Sequence, residues 1–308
     1  MTYSIVARDP ETGALGVGVQ SHYFAAGAVV PWAEAGVGAV ATQSVADPGY
    51  GPRGLALMRD GISASDALAR LVADDELEML RQVAMVDAEG RTGVHTGAGC
   101  VQAAGHTGAG PVSAQGNMLL RDGTWDAMLA AFSSSGGDLA ERILSALDAA
   151  EANGGDVRGR QSAAILVVDG ERSEVPWDHV QINLRVDDHP QPLTELRRLV
   201  EFSRATSRMT GVFGSGLLFA PAIDESMHDA LEAALADLGT AQQTLGDNRE
   251  PTFWQAVLLA KAGRVDDAKA RLHEAAATHA QWIDFVERLP AAGILPADDE
   301  LIRNLTGS

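Results

Sequence analysis

The chain has 308 residues, of which 46% are hydrophobic and 33 are glycine, and its 42 acidic against 23 basic side chains give a formal charge of −19. That length buries a large core in one or two domains. A surface so acidic would repel nucleic-acid phosphates and anionic lipid, and basic residues gather only in short runs such as Arg197-Arg198, so neither partner is expected.

Tyr3 to Ala7 alternates as a strand, and Leu15 to Gln20 returns after the Pro10-Glu11-Thr12-Gly13 turn as its hairpin partner. A second pair is predicted over Ala28 to Ala33 and Val37 to Gln43, with the turn at Glu34-Ala35-Gly36. The glycines on these strands imply close packing of the sheet or backbone left open beside a site. A helix with Leu55, Leu57 and Met58 on its apolar face follows the Asp47 to Pro52 turn. Ser63 and Asp66 then form a capping-box signature for a second helix. Strands are predicted over Gln82 to Asp87, Thr92 to Thr96 and Val112 to Leu119. Helices capped at Thr124 and at Asp138 come next, the latter ending at Asn153-Gly154-Gly155. Ser162 to Val168 and Gln181 to Val186 are the last strands.

The predicted order is four strands, two helices, three strands, two helices and two strands. Long runs of hairpin-linked strands argue for antiparallel sheets, and grouped helices argue for a cover on each. A four-layer αββα sandwich of two mostly antiparallel sheets, an α+β fold over residues 1–200, buries every apolar face. A doubly wound sheet fits poorly, since helices do not alternate with single strands and no GxGxxG follows the first strand. Asp187 to Pro192 reads as the domain exit. Residues 201–308 are a helical extension, with a glycine-rich joint at Gly211 to Gly216, a helix over Ser226 to Leu238, and a helix hairpin over Thr252 to Ala262 and Val265 to Thr278. One such hairpin cannot form an array, so it is expected to pack on the main domain or on a second subunit, making a homo-oligomer.

No secretory signal is expected, because Arg8, Asp9 and Glu11 interrupt the N-terminus, and the apolar stretch from Phe24 to Val45 is broken by Pro31, Glu34 and glycines. A soluble, cytoplasmic protein is the expectation. Cys100 is the single cysteine, which excludes an intramolecular disulfide and a thiolate cluster. His22, His95 and His106 are scattered, Asp187 and His189 are followed by Pro190, and there is no HExxH or phosphate-binding glycine loop, so neither metal nor cofactor is expected.

Thr2 stands directly behind the initiator methionine at the head of the first strand. With Met1 removed, its hydroxyl and free α-amine supply nucleophile and base in one residue. An unperturbed α-amine has a pKa of about 7.7–8.0, suited to that work near neutral pH. Lys261 and Lys269 are the only lysines, so any cation in the first 260 residues is an arginine, a histidine or the α-amine. Asn117, in a Gln115-Gly116-Asn117 turn, is a candidate donor to an oxyanion with the Gly116 backbone beside it; capping its own loop is the alternative. Arg160, next to Gln161, could hold a substrate carboxylate bidentately or pair with an acid such as Asp156. Glu34, Gln43 and Ser44 complete the candidate pocket.

The segments Thr2 to Asp9, Val30 to Gln43, Tyr50 to Gly54, Gln115 to Leu119 and Gly159 to Ala163 resemble the DUF1028 family of bacterial proteins, over roughly residues 2 to 200. The resemblance implies membership of the N-terminal nucleophile (Ntn) hydrolase superfamily, an αββα fold, and an N-terminal nucleophile that maps onto Thr2. The helical part is outside it and is only loosely similar to a tetratricopeptide unit. Proteasome-like members of the superfamily use a lysine near the nucleophile, and this domain has none. The expected function is an amidohydrolase acting on the amide, ureide or lactam C–N bond of a small molecule. The competing expectation is a non-catalytic small-molecule-binding or scaffold protein on the same fold.

Overall fold

The structure, a computed structural model, describes residues 2–307. It divides after Val200 into two compact units. In the first, β1 (Thr2–Arg8), β2 (Leu15–Ser21), β7 (Gly105–Ala109), β8 (Val112–Asn117), β9 (Ser162–Val168) and β10 (Val180–Val186) form a six-stranded sheet in the order β10-β9-β2-β1-β8-β7. β3 (Pro31–Glu34), β4 (Gly38–Ser44), β5 (Arg81–Asp87) and β6 (Thr92–Thr96) form a second sheet in sequence order. Every pairing is antiparallel.

Period-two alternation puts Val6, Val17 and Val19 of the first sheet against Ala39, Ala41, Ala84 and Val86 of the second. The opposite faces meet helices. Ile5 and Ala7 pack with Ile143, Leu144 and Leu147 of α4 (Leu139–Ala152) and with Met128 and Phe132 of α3 (Thr124–Ser134). Val40, Val83 and Met85 pack under α1 (Tyr50–Arg59) and α2 (Ala64–Ala73). The layers are thus helix, sheet, sheet, helix. Gly18 shows why β2 is glycine-rich: a Cβ there would lie 2.3 Å from Ile143 Cγ2, so the missing side chain sets how closely α4 lies on the sheet.

Ser63 and Asp138 cap α2 and α4 as expected, each accepting the N–H three residues on. Other boundaries differ. A further strand, β7, pairs with β8 at the edge of the first sheet, although Gly105-His106-Thr107-Gly108-Ala109 carries no apolar alternation. An edge strand with exposed side chains needs only backbone pairing on one side. The expected strand from Ala28 begins only at Pro31, because Ala26–Ala28 is wound as a 3₁₀ turn behind Ala25 at φ 54°. Gly116 and Asn117 end β8 as buried strand residues, not a turn. Gly123, at φ 76°, precedes α3, and the Thr124 hydroxyl donates back to the Arg121 carbonyl in place of capping.

The second unit is helical. α5 (Pro192–Gly214) starts in the first unit, runs on through Gly211 and ends at Gly214, within the stretch where a joint was expected. α6 (His228–Leu245), α7 (Glu250–Lys261), α8 (Val265–Ala276), α9 (Gln281–Val286) and α10 (Asp299–Thr306) follow. α6 starts later than expected, because a 3₁₀ turn at Glu225–Met227 takes the first residues, and it runs on to Leu245. Phe253 stacks on Trp282 and Phe285, with centroids 4.7 and 5.0 Å away. Lys261 is buried in this unit, its Nζ donating to the carbonyls of Leu218 and Ile294 at 2.7 Å, and burial lowers its pKa. Among the described residues no helix is long and apolar enough to cross a membrane.

Candidate functional site

β1 begins at the mouth of the space between the two sheets, and its first residue, Thr2, is 7% exposed there. Two neighbours follow from strand register. The pairing of Arg8 with Leu15 and of Tyr3 with Gln20 carries on to bring Ser21 beside Thr2, with Oγ to Oγ1 at 3.0 Å. On the other side Thr2 faces Asn117 across β8.

Behind Thr2 lies a buried layer of amides. Gln43 Nε2 donates to the Thr2 carbonyl at 3.1 Å and to Gln82 Oε1 at 2.8 Å, while its Oε1 accepts from the Ser4 hydroxyl at 2.7 Å. Gln82 Nε2 faces the carbonyls of Gly116, at 2.8 Å, and Gly105, at 3.1 Å. Two carbonyls can face only a donor, so the Gln82 amide has one permitted orientation and its Oε1 must be the acceptor. Asn117 therefore turns Nδ2 to Gln82, at 2.9 Å, and its Oδ1 is buried with no hydrogen-bond partner among the described residues.

Thr2, Tyr23, Ala26, Val29, Val30, Gln43, Ser44, Ala46 and Pro48 line a pocket of about 300 Å³. Ser44 helps shape it by adopting the left-handed region, at φ 71°. Of the residues singled out from sequence, Thr2, Gln43 and Ser44 share this pocket. Asn117 and Gly116 sit behind Thr2 and do not line it. Asn117 is fully buried and committed to Gln82, so it is a brace for Gln82 and not a donor in the pocket wall. Gly116 is a ladder residue between Tyr3 and Gly105, its carbonyl taken by Gln82.

Three candidates lie elsewhere. Glu34 pairs with Arg59 at the far end of β3, opposite Gly38, whereas Gln43 is at the other end of β4. Arg160 lies in a different cleft of about 300 Å³ with Asp148, Glu151 and Gln191. There it binds the Glu151 carboxylate and donates to Gln191 Oε1 at 2.7 Å. Glu151 also accepts from the Tyr3 hydroxyl at 2.7 Å, and burial followed by this carboxylate holds the Tyr3 phenol well above its usual pKa, so it stays a donor. Gln161 points its amide at Asp188, at 3.2 Å, while its N–H donates to the Ser21 carbonyl, also at 3.2 Å.

Sequence reasoning missed Ser21, Gln82 and the apolar wall of Tyr23, Ala26, Val29 and Val30. Ser21 could have been found by extending the first hairpin's register. Gln82 gives no such signal, because its role depends on where the two sheets face each other. The use of the Thr2 α-amine as base requires loss of Met1, which lies outside the described residues. Among the described residues no group of three or more His, Cys, Asp or Glu side chains is placed to hold a metal.

No curated protein matches the chain. Its fold is similar to the crystal structure of a DUF1028 protein from Silicibacter pomeroyi, with 32% sequence identity and a TM-score of 0.60, covering 67% of this chain and 86% of that one. The profile of the family of unknown function DUF1028 matches residues 2–196, well over half of the sequence. The chain belongs to the DUF1028 family.

Proposed function

We propose that this protein is an amidohydrolase of the Ntn type, with Thr2 as nucleophile after removal of Met1. The observation that carries this reading is the position of Thr2: the first residue of a central strand, lining a pocket between two facing sheets, with the Ser21 hydroxyl 3.0 Å from its own. The αββα layering with a hydroxyl residue at that place is the arrangement such a mechanism needs. The α-amine takes the Thr2 proton, directly or through water, and Oγ1 attacks the carbonyl carbon of a C–N bond. The C–N bond breaks, the amine departs with the proton, and water hydrolyses the resulting ester to free the acid and restore Thr2. Ser21 is placed to hold the Thr2 rotamer or to pass the proton. Gln43, donating to the Thr2 carbonyl, fixes the strand end against recoil.

The test joins a mass measurement with kinetics. Intact mass of the purified protein should show loss of Met1, and amine release from a panel of amides, ureides and lactams should fall by roughly a thousandfold or more in Thr2→Ala. Retained Met1, or Thr2→Ala turning over at the wild-type rate, overturns the assignment. Tight retention of one panel member with no turnover would favour a binding protein on this fold instead.

A further inference from the structure

The Thr2 pocket is built before any ligand arrives. One wall is the connection from β2 to β3, and Ser162 of β9, Asp187 at the end of β10 and Asp156 in the connection from α4 to β9 hold it at four points. The Ser162 hydroxyl accepts the Ala26 N–H at 3.1 Å and donates to the Tyr23 carbonyl at 2.6 Å. The Ala25 N–H donates to the Asp187 carbonyl at 3.0 Å, and the His22 N–H donates to the Asp156 carboxylate at 2.9 Å. Gly27 lies so close to β9 that a Cβ would stand 2.6 Å from Ala164 Cβ. The other lip is held by Arg81, which donates to the Val45 carbonyl at 2.7 Å and pairs with Asp75.

The chemistry of this fixed wall is uniform. Thr2, Gln43 and Ser44 form one polar corner, and Tyr23, Ala26, Val29, Val30, Ala46 and Pro48 form the rest. Among the described lining residues no side chain carries a charge at neutral pH. Phe24 and Val45, beside the lining residues Tyr23 and Ala46, are 64% and 50% exposed, so the apolar character continues outward. The neighbouring charges are already paired, Asp47 with Arg53, Arg81 with Asp75 and Asp156 with Arg158. The one charge that loss of Met1 adds is the α-amine, which sits at the point of attack and not where the distal end of an acyl chain would lie.

We infer that this pocket receives the acyl half of an uncharged amide whose acyl chain is apolar to its end, and that it rejects chains ending in a charge. The assignment of the acyl half, as against the amine half, rests on the hydrolytic reading of Thr2. A cavity of about 150 Å³ takes a benzene ring, so one of about twice that volume has room for an acyl chain of about six carbons together with the reacting amide. A carboxylate or ammonium at the chain end would lose its water and meet only Tyr23, Val29, Val30 and Pro48 in return.

The test uses three 4-nitroanilides of equal chain length that differ only at the far end: hexanoyl (methyl), adipoyl (carboxylate) and 6-aminohexanoyl (ammonium). Binding is measured calorimetrically to full-length Thr2→Ala, which keeps the pocket and does not consume the probe. The hexanoyl probe should bind roughly 10- to 100-fold tighter than either charged probe. Ala46→Arg, at a half-buried wall position, should move the preference toward adipoyl. Equal or tighter binding of a charged probe, or no binding of the hexanoyl probe, overturns the inference. Nitroaniline release by the wild-type protein is read separately. Selective binding without release would sink the hydrolytic reading and leave the selectivity standing; release without selectivity would do the reverse.

Discussion

Two clefts of the first unit have the same volume, about 300 Å³, and opposite chemistry. The first two described residues of β1 reach them in different ways: Thr2 lines one, and Tyr3 bonds to Glu151, which lines the other. Thr2 faces the space between the sheets, and Tyr3 faces the helix layer, where its hydroxyl meets Glu151. The cleft beside Glu151 holds Arg160, Asp148 and Gln191, and its charges lie open to water. The pocket at Thr2 is backed by neutral groups, the amides of Gln43, Gln82 and Asn117 and the hydroxyl of Ser21. One step along a strand separates the two, because successive side chains point to opposite faces. The difference teaches that a chain with a large negative charge can still set the proposed nucleophile among neutral side chains, by pairing the ions around the pocket with one another. The proposed mechanism needs the α-amine deprotonated, and uncharged lining side chains favour that form.

The comparison is broken most severely by removing the centre of the amide layer. Gln82→Leu strands the Gly116 and Gly105 carbonyls and leaves Gln43 and Asn117 each short of an acceptor, all in a buried site. The cost should be about 3 kcal/mol of stability, measured by urea unfolding of the full chain, since each orphaned group costs roughly 1–3 kcal/mol and some relaxation is available. A loss below about 0.5 kcal/mol would mean that water replaces the side chain and that the layer is not the support described.

The layering was legible in the sequence because it follows from counting hairpins and helix groups, and each count is local. Thr2, Gln43 and Ser44 were legible because they end or begin strands that periodicity locates well. For Arg160 the sequence left a ligand and an acid as alternative partners, and the structure pairs it with an acid, Glu151. In a lysine-free domain an arginine ahead of a strand invites a role with an anionic ligand, but the side of the sheet it serves is decided by α4, whose Glu151 is nine residues earlier and on a different element. Gln82 was invisible for the converse reason. A glutamine at the head of an apolar strand looks like an end residue, and only the facing of two sheets shows that it accepts and donates at their joint boundary. The edge strand β7 was lost because pairing on one side needs no apolar pattern.

A smaller effect separates the ion pair at the pocket lip from those in the open cleft. The Arg81 guanidinium, followed by the Leu77 N–H and the Tyr50 hydroxyl, holds the Asp75 carboxyl down at about 2. A folded pKa below the unfolded value contributes stability that is complete above roughly pH 5 and is lost as pH falls toward 2. Asp75→Asn should therefore cost roughly 1–2 kcal/mol at neutral pH, the range of one charge-assisted hydrogen bond, and the gap to wild type should close between about pH 5 and pH 2. Because Arg81 also holds the Val45 carbonyl, the variant should loosen the lip and weaken hexanoyl-probe binding by a few-fold. A gap that stays constant down to pH 2 would show that Asp75 acts through packing and not through its charge.

The smallest effect belongs to Arg160. Its side chain and that of Glu151 are 40% and 21% exposed, and screening by water reduces such a pair to less than about 1 kcal/mol. Arg160→Ala should lower stability by no more than that and should leave the ratio of hexanoyl to adipoyl binding unchanged to within about twofold. The contrast with Ala46→Arg is the informative part. Removing a cation from the outer cleft should be silent toward the probes, while adding one to the apolar wall should move the preference toward adipoyl. If Arg160→Ala selectively weakened the adipoyl probe, the carboxylate would have to reach the outer face of the sheet, and the two clefts would be parts of one substrate site, not two environments kept apart by β1.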